Sequence, residues 1–434
     1  MKFQDDIGTT FSDDFLDLQD LYGEFDEDDT KGYLSSSLTM EENEWGPCFS
    51  LQSSKNSETC LLVDEINQLD KESSLLHLLK AYGEAVEKGE SELAMVIVES
   101  INEKSSLMGS TLERFSYSLF RSREDCGEYL RKESSENFVV AFNLFYQALP
   151  LGRFAHFVAN SEILESVSDY VTTIHVVDFE LGQGVQWPPM IEALSQKHKK
   201  LRLTSIKSED RCFPSWDFGK TKKWLLDHSR KYGLEPQIEE KSIEDLASEL
   251  MRMKKRGRGE EWLAFNCMVG LPHMGRRPRN LAKKFLKMGK NLLANFAGIV
   301  IIGDGEVEDM NTCSSFSSFF DKFVRHHNAL YEALDSSFSV DFAEARTAIE
   351  SLFLGPKIDL FSWYELWEDI AKGCDLGVGT ELKVLKLSRV SLVEAKQMVN
   401  EVESSYKVEI GWMRENEMIL KWKDVPLARV SKWM

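Results

Sequence analysis

The chain has 434 residues, 52 Lys and Arg against 72 Asp and Glu, a formal net charge of −20 and 42% hydrophobic residues. So ordinary an apolar fraction in so long a chain excludes wholesale disorder and allows a large buried core. The acidity argues against a generally basic nucleic-acid binder, because neutralising phosphates needs clustered Lys and Arg.

The charge is concentrated at the N-terminus. Residues 1–45 hold fourteen acids against Lys2 and Lys31, a local net of −12 that leaves −8 for the other 389 residues. Phe11, Phe15, Leu16, Leu18, Leu21, Tyr22 and Phe25 lie among these acids, and a Ser-rich stretch follows. Repulsion prevents such a segment from collapsing alone, while its aromatics can dock into a partner's groove. Residues 1–70 are expected to be a disordered acidic segment, either a solvated tail or an activation-type interaction segment, ahead of a folded domain over 71–434. The seven cysteines are odd in number, far apart and never in C-x-x-C spacing, which points to a reduced chain without a disulfide framework or zinc knuckle. An acidic start without an apolar stretch, and no window near the roughly 18 apolar residues of a span, predict a cytosolic or nuclear protein with no membrane association.

From Leu75 to Val167 apolar residues recur at three-to-four spacing: Leu75, Leu78, Leu79 and Tyr82; Leu93, Val96, Ile97 and Ile101; Leu112, Phe115, Leu119 and Phe120; Phe138, Phe142, Phe145 and Leu149. The pattern predicts four or five packed helices and a mainly helical cap over 71–168. Such stripes build cores, and a helical layer at a domain's edge can also pair with another protein's helices.

At Val171 the period changes, and 169–434 reads as an α/β core. Thr173–Asp178 is a β-branched run suited to a strand buried on both faces of a parallel sheet. The turn Phe179–Gly184 follows, then Trp187-Pro188-Pro189 opening a helix to Lys197, then a strand at Leu201–Ile206, together one right-handed βαβ unit. Alternation continues with a helix at Thr221–Lys231, a strand at Glu235–Ile238, a helix at Ile243–Met253 and a strand at Trp262–Cys267. A basic helix over Arg279–Asn291, a strand at Gly298–Gly303 and a long helix from Phe316 to Leu334 follow. The expected fold is α/β, a Rossmann-like, mostly parallel sheet with helices on both faces. Lys407–Gly411 and Met418–Trp422 alternate with period two around Arg414–Glu417, predicting a C-terminal antiparallel hairpin, and Leu427–Lys432 can add a strand.

An acid at a strand end followed by a glycine turn and a helix N-terminus is how doubly wound folds hold nucleotide-like ligands: glycines let the backbone approach and the acid takes a ribose hydroxyl. Asp178, Gly182 and Gly184 are the candidates, as a working or a vestigial site. A methyltransferase-type loop prefers glycine where Glu180 stands, and Ile206-Lys207-Ser208 puts no acid after the next strand. No complete cofactor motif, G-x-S-x-G, H-E-x-x-H or Walker sequence occurs, so no cofactor, metal site or catalytic group is expected. His326 and His327 point about 100° apart on a helix and are expected to be packed or solvated rather than metal ligands. The carboxylates of Gly303-Asp304-Gly305-Glu306 read as a solvated turn. Arg252, Lys254, Lys255, Arg256 and Arg258, then Arg276, Arg277, Arg279, Lys283, Lys284 and Lys287, form two basic clusters. Arg276, Arg277 and Arg279 are candidate phosphate contacts, with an exposed charged face as the plain alternative. Trp412, Trp422 and Trp433 are expected to pack the C-terminus onto the domain.

Ile174-His175-Val176-Val177-Asp178, with Gln186-Trp187-Pro188 downstream, resembles the VHIID motif of the plant GRAS transcriptional regulators. Leu75–Gly89 resembles the start of that family's first leucine-rich region, although Lys80-Ala81-Tyr82 replaces its usual Cys-Ala pattern. Phe145–Ala148, Phe154–Phe157 and Ala159–Glu165 resemble the stretch before VHIID, and Phe319–Asp335 with Arg346 and Glu350 the PFYRE region. Trp412, Trp422 and Ser431-Lys432-Trp433 resemble the closing SAW region, with Lys432 where the name motif has Ala. Ala264–Met274 departs from the usual Leu-His-Arg ending and looks most like the nodulation-signalling-pathway-2 subgroup. The resemblance implies a methyltransferase-like core under a helical cap. It implies a nuclear co-regulator, with some cytoplasmic pool, that pairs with another GRAS protein or a DNA-binding transcription factor and reaches DNA indirectly. Homo- and heterodimers both fit, and the subgroup implies symbiotic or strigolactone-related gene expression. Two other readings stay open: a small-molecule-binding or methyltransferase-like enzyme using the Asp178/Gly182/Gly184 turn, and direct DNA contact through the basic clusters.

Overall fold

The computed structural model describes residues 56–121, 138–207, 217–255, 261–275, 277–305, 313–338, 342–371, 382–400, 405–411 and 415–434. The chain divides into two units, Met1–Ser73 and Ser74–Met434. In the first, the described residues belong to helix α1 (Asn56–Glu87), which runs on into the second. Residues 1–55, the greater part of the expected acidic segment, lie outside the described residues.

The second unit is built on one eight-stranded sheet. Strands β1 (Thr173–Asp178), β2 (Lys200–Ile206), β3 (Gln237–Lys241), β4 (Trp262–Val269) and β5 (Gly298–Asp304) run parallel. Strands β6 (Tyr406–Ile410), β7 (Glu417–Trp422) and β8 (Val425–Trp433) add an antiparallel edge, with β8 laid against β5 from Val300 opposite Trp433 to Asp304 opposite Arg429. The order is β3-β2-β1-β4-β5-β8-β7-β6, a mostly parallel sheet with an antiparallel end. β1 is central, with Ile174 opposite Leu201 on one side and Trp262 on the other. Burial of both faces explains its mostly apolar, β-branched run, which only the buried His175 interrupts before Asp178.

Crossover helices α6 (Trp187–Gln196), α7 (Phe218–Lys231), α8 (Ile243–Lys255) and α9 (Arg279–Leu293) cover the parallel half. α9 is amphipathic: Ala282, Phe285, Leu286, Met288 and Leu292 are buried with Val177, Phe179, Phe265 and Val300 in one apolar cluster. Its close approach needs Gly289, where a Cβ would stand 3.1 Å from the Phe265 ring. The helical layer comprises α2 (Ser91–Lys104), α3 (Thr111–Leu119), α4 (Phe138–Ala148) and α5 (Leu151–Ser166). α5 packs on β4, β5 and β8, so this layer lies on the sheet itself. Helix α10 (Phe316–Ser336) packs between α3 and β8.

Two regions differ from expectation. β3 begins two residues after the anticipated Glu235 and extends to Lys241, because Glu239 and Lys241 are not solvated: Glu239 pairs with Arg202 of β2, and Lys241 with Glu239 and Glu249. After α10 the chain forms α11 (Ala343–Ile349), a π-helical turn (Glu350–Leu354), α12 (Gly355–Ile358), α13 (Leu360–Ala371) and α14 (Arg389–Asn400). A π turn inserts a residue into the helical repeat and breaks the apolar period that marks a helix. No single helix among the described residues is long and apolar enough to cross a membrane.

Candidate functional site

The carboxyl ends of parallel strands are where open α/β sheets bind ligands. Here β1 ends in Asp178 and turns through Phe179–Gly184 into α6. Gly182 and Gly184 adopt φ of +56° and +76°, the left-handed region that favours glycine. A Cβ on Gly184 would lie 2.8 Å from the Thr221 methyl, and Thr221 Oγ1 donates to the Gly182 carbonyl at 3.0 Å. The turn is packed against α7 rather than left as an open cradle.

Asp178 is buried, and each of its oxygens accepts an N–H from the protein: Oδ1 from Asn266 Nδ2 at 3.0 Å and Oδ2 from Trp187 Nε1 at 3.1 Å. Asn266 Nδ2 also lies 3.0 Å from Gln186 Oε1, Gln186 Nε2 donates to Asn160 Oδ1 at 3.2 Å, and Asn160 Nδ2 donates to the Gln186 carbonyl at 2.7 Å. A closed amide cluster thus joins α5, β4 and α6 around the acid. Burial pushes the Asp178 carboxyl up to about 7, while the bonds from Asn266 and Trp187, the Glu180 backbone N–H and the Arg277 charge hold it down. Each oxygen that would take a ribose hydroxyl already accepts one N–H, from an indole or an amide.

Glu180 is also committed inward. Its Oε1 accepts the Gly275 N–H at 2.9 Å and its Oε2 lies 3.6 Å from Arg277 Nε. Arg277 donates to the carbonyls of Phe179 and Ile206 and has a side chain only 9% exposed, so its guanidinium is turned away from any external phosphate. Arg279 opens α9 half-buried, and Arg276 lies outside the described residues. Beside the turn is a small cavity with free space for about one water molecule, lined among others by Phe142, His156, Glu180, Gln183 and His273. His156 Nδ1 is 2.8 Å from the Tyr146 hydroxyl, and burial lowers His156 to about 3 and His273 well below the usual imidazole range. Both rings are neutral at physiological pH.

The other motif residues occupy separate places. Ile174, Val176 and Val177 are core, and Pro188 stands in the first turn of α6. His175 is buried with Nε2 2.8 Å from Thr204 Oγ1 and Nδ1 3.1 Å from Glu261. Arg346 and Glu350 form a buried joint with the helical layer. Arg114 of α3 donates Nε to both Glu350 oxygens at 3.1 and 3.2 Å and Nη2 to Asp335 at 2.8 Å, and Arg346 reaches Asp335 at 2.7 Å. Burial raises Glu350 to about 7 against the pull of Arg114. Trp422 and Trp433 lie on β7 and β8; the Trp422 ring is 4.8 Å from that of Tyr406, and Trp433 Nε1 donates to Ser431 at 2.8 Å. Trp412 lies outside the described residues. Lys432 pairs at 2.9 Å with Glu162 of α5, a fully buried carboxylate.

His326 and His327 are buried on α10 with Nδ1 atoms 3.0 Å from the carbonyls of Pro426 and Phe323. Asp304 is buried at the end of β5 rather than solvated, and Glu306 lies outside the described residues. Among the described residues no group of three or more His, Cys, Asp or Glu is placed to hold a metal ion. The rim therefore unites Asp178, Gln186 and Trp187, while Arg346/Glu350 and Trp422/Trp433 belong to distant joints. Asn160, Asn266 and Arg114 are unforeseen. A lone Asn in the otherwise apolar Trp262–Cys267 run is the signal that could have exposed Asn266.

The surface of the helical layer carries apolar side chains. On α2 Leu93, Met95 and Val96 are 48%, 61% and 56% exposed, and Leu76 on α1 is 51% exposed; of the expected stripe Leu93, Val96, Ile97 and Ile101 only Ile97 and Ile101 are buried. Glu92, Glu99 and Glu103 flank that apolar stretch.

The model of the GRAS domain family matches residues 75–434. Protein NODULATION SIGNALING PATHWAY 2 from Medicago truncatula is 25% identical over 411 residues, covering 85% of this chain and 77% of its own length. The protein of the same name from Lotus japonicus is 27% identical over 387 residues, covering 83% and 75%. The crystal structure of SCL7 from Oryza sativa superposes with a TM-score of 0.61 at 22% identity, over 83% of this chain and 99% of that one, so the fold is shared.

Proposed function

The chain belongs to the GRAS domain family, and from that premise we propose that it is a nuclear transcriptional co-regulator acting through protein pairing, with its α/β core as scaffold. The observation that carries this reading is the inward-committed rim: Trp187 and Asn266 donate to Asp178, Glu180 accepts the Gly275 N–H, and Arg277 donates to the Phe179 carbonyl. A ligand-binding or methyltransferase-like role would place a ribose hydroxyl on Asp178 oxygens that each already accept a buried N–H, beside Gly182 and Gly184 packed against α7.

Pairing is supported by the exposed Leu93, Met95 and Val96, whose apolar side chains suit a partner helix. The partner is another GRAS protein or a DNA-binding factor, and DNA is reached through it. Residues 1–70 act as an acidic interaction segment joined to the domain at 71–434. The names of the two NODULATION SIGNALING PATHWAY 2 relatives favour symbiotic gene expression as the process served.

The test is chromatin occupancy in plant nuclei of the tagged full chain, compared with a Leu93→Glu/Val96→Glu double variant of unchanged thermal stability. Occupancy lost in the double variant and restored by fusing the chain directly to a DNA-binding module supports pairing. Equal occupancy by both chains, or duplex binding by the purified chain alone at physiological salt, overturns it.

A further inference from the structure

The loop after β4 carries a cation to the ends of two neighbouring strands. The guanidinium of Arg277 donates Nη1 to the carbonyl of Phe179, the residue after β1, and Nη2 at 3.0 Å to that of Ile206, the last of β2. Its Nε faces Glu180 Oε2 at 3.6 Å, and its central carbon stands 5.0 Å from the centre of the Phe179 ring. Glu180 Oε1 meanwhile accepts the Gly275 N–H, so one carboxylate holds both the guanidinium and the backbone two residues before it.

Two carbonyl acceptors, a carboxylate and an aromatic face make a set that matches a planar forked cation. Lysine's point charge has no second donor in the same plane and cannot span both carbonyls while lying over the ring. We propose that the crevice between the ends of β1 and β2 is a binding site for a monoalkylguanidinium group, occupied in the folded chain by its own Arg277. Glu180, where a cofactor-binding loop would favour glycine, is the site's counter-ion. The occupant latches the loop between β4 and α9 onto the β1–β2 rim. This inference stands independently of the reading as a co-regulator.

Arg277→Ala in the full chain removes everything beyond Cβ, and ethylguanidinium replaces the lost atoms. The variant unfolds at a lower Tm than wild type, and millimolar ethylguanidinium restores at least half of the loss. Ethylammonium at equal ionic strength restores none, and neither cation raises the wild-type Tm. Arg277→Lys, which keeps the charge, falls as far as Arg277→Ala. If Arg277→Ala does not fold unaided, refolding yield is the readout, and recovery must again depend on ethylguanidinium. Equal effects of the two cations, no effect of either, or Arg277→Lys as stable as wild type would overturn the assignment.

Discussion

Replacing Asp178 by Asn removes one titration from the buried rim and leaves the shape of the side chain unchanged. In the folded protein this carboxyl is pushed up to about 7 from an ordinary 3.8. Between those values the folded state binds more protons than the unfolded chain, so the contribution is fully present below about pH 4, is lost as pH rises, and is flat above about pH 7. At 1.36 kcal/mol per unit the whole window amounts to about 4 kcal/mol, of which about 3 kcal/mol falls between pH 5 and 8. Asn keeps a single acceptor oxygen, so the Trp187 or the Asn266 donor meets an amide N–H, an offset that does not vary with pH. Glu350, also raised to about 7, titrates in both proteins and cancels in the comparison. Urea unfolding of wild type and Asp178→Asn across pH 5 to 8 therefore yields a difference that moves by about 3 kcal/mol in the variant's favour as pH rises. A difference that stays constant, or moves the other way, would refute a carboxyl governed by burial; the second outcome would mean that its N–H donors win.

Three further outcomes follow from the packing. Arg114→Met strands the buried Glu350 carboxylate with Arg346 Nε at 3.9 Å as its remaining cation, and urea denaturation should show a loss of about 3–5 kcal/mol; adding Glu350→Leu should recover part of it. Gly184→Ala combines φ +76° with a Cβ 2.8 Å from Thr221, whereas Gly233→Ala has φ +66° and no atom within 4 Å. The first should lose clearly more stability than the roughly 1 kcal/mol of backbone strain expected for the second, read as urea midpoints. Trp187→Phe removes the indole N–H from Asp178 Oδ2 and should cost about 1.5–3 kcal/mol at pH 8, where the carboxylate is ionised, and less at pH 5.

The parallel half of the sheet was legible because strands buried on both faces are mostly apolar, and β1 to β5 alternate with helices at crossover spacing. Asp178 was legible as a strand-end acid, but its use was not. Its partner Asn266 lies 88 residues away, and they meet because β1 and β4 are neighbours with Asp178 opposite Asn266. A period of apolar residues does not state which strands adjoin. Arg277 read as one member of a basic cluster, since charge alone does not say which side chain turns inward; that depends on the carbonyl ends of β1 and β2 and on Glu180. The helices from Ala343 to Ala371 escaped notice because a π turn and Gly355-Pro356 interrupt the repeat. The joint of Arg114 with Glu350 spans 236 residues, and in the sequence each reads as one charged position in an amphipathic stretch.

The most direct test of a scaffold with a filled rim is calorimetric titration of the purified full chain with S-adenosylmethionine and, separately, its demethylated product. A filled rim gives no heat of binding for either at millimolar ligand, for wild type and Asp178→Asn alike. Saturable binding to wild type that disappears in Asp178→Asn would contradict it and restore the rim as a ligand site.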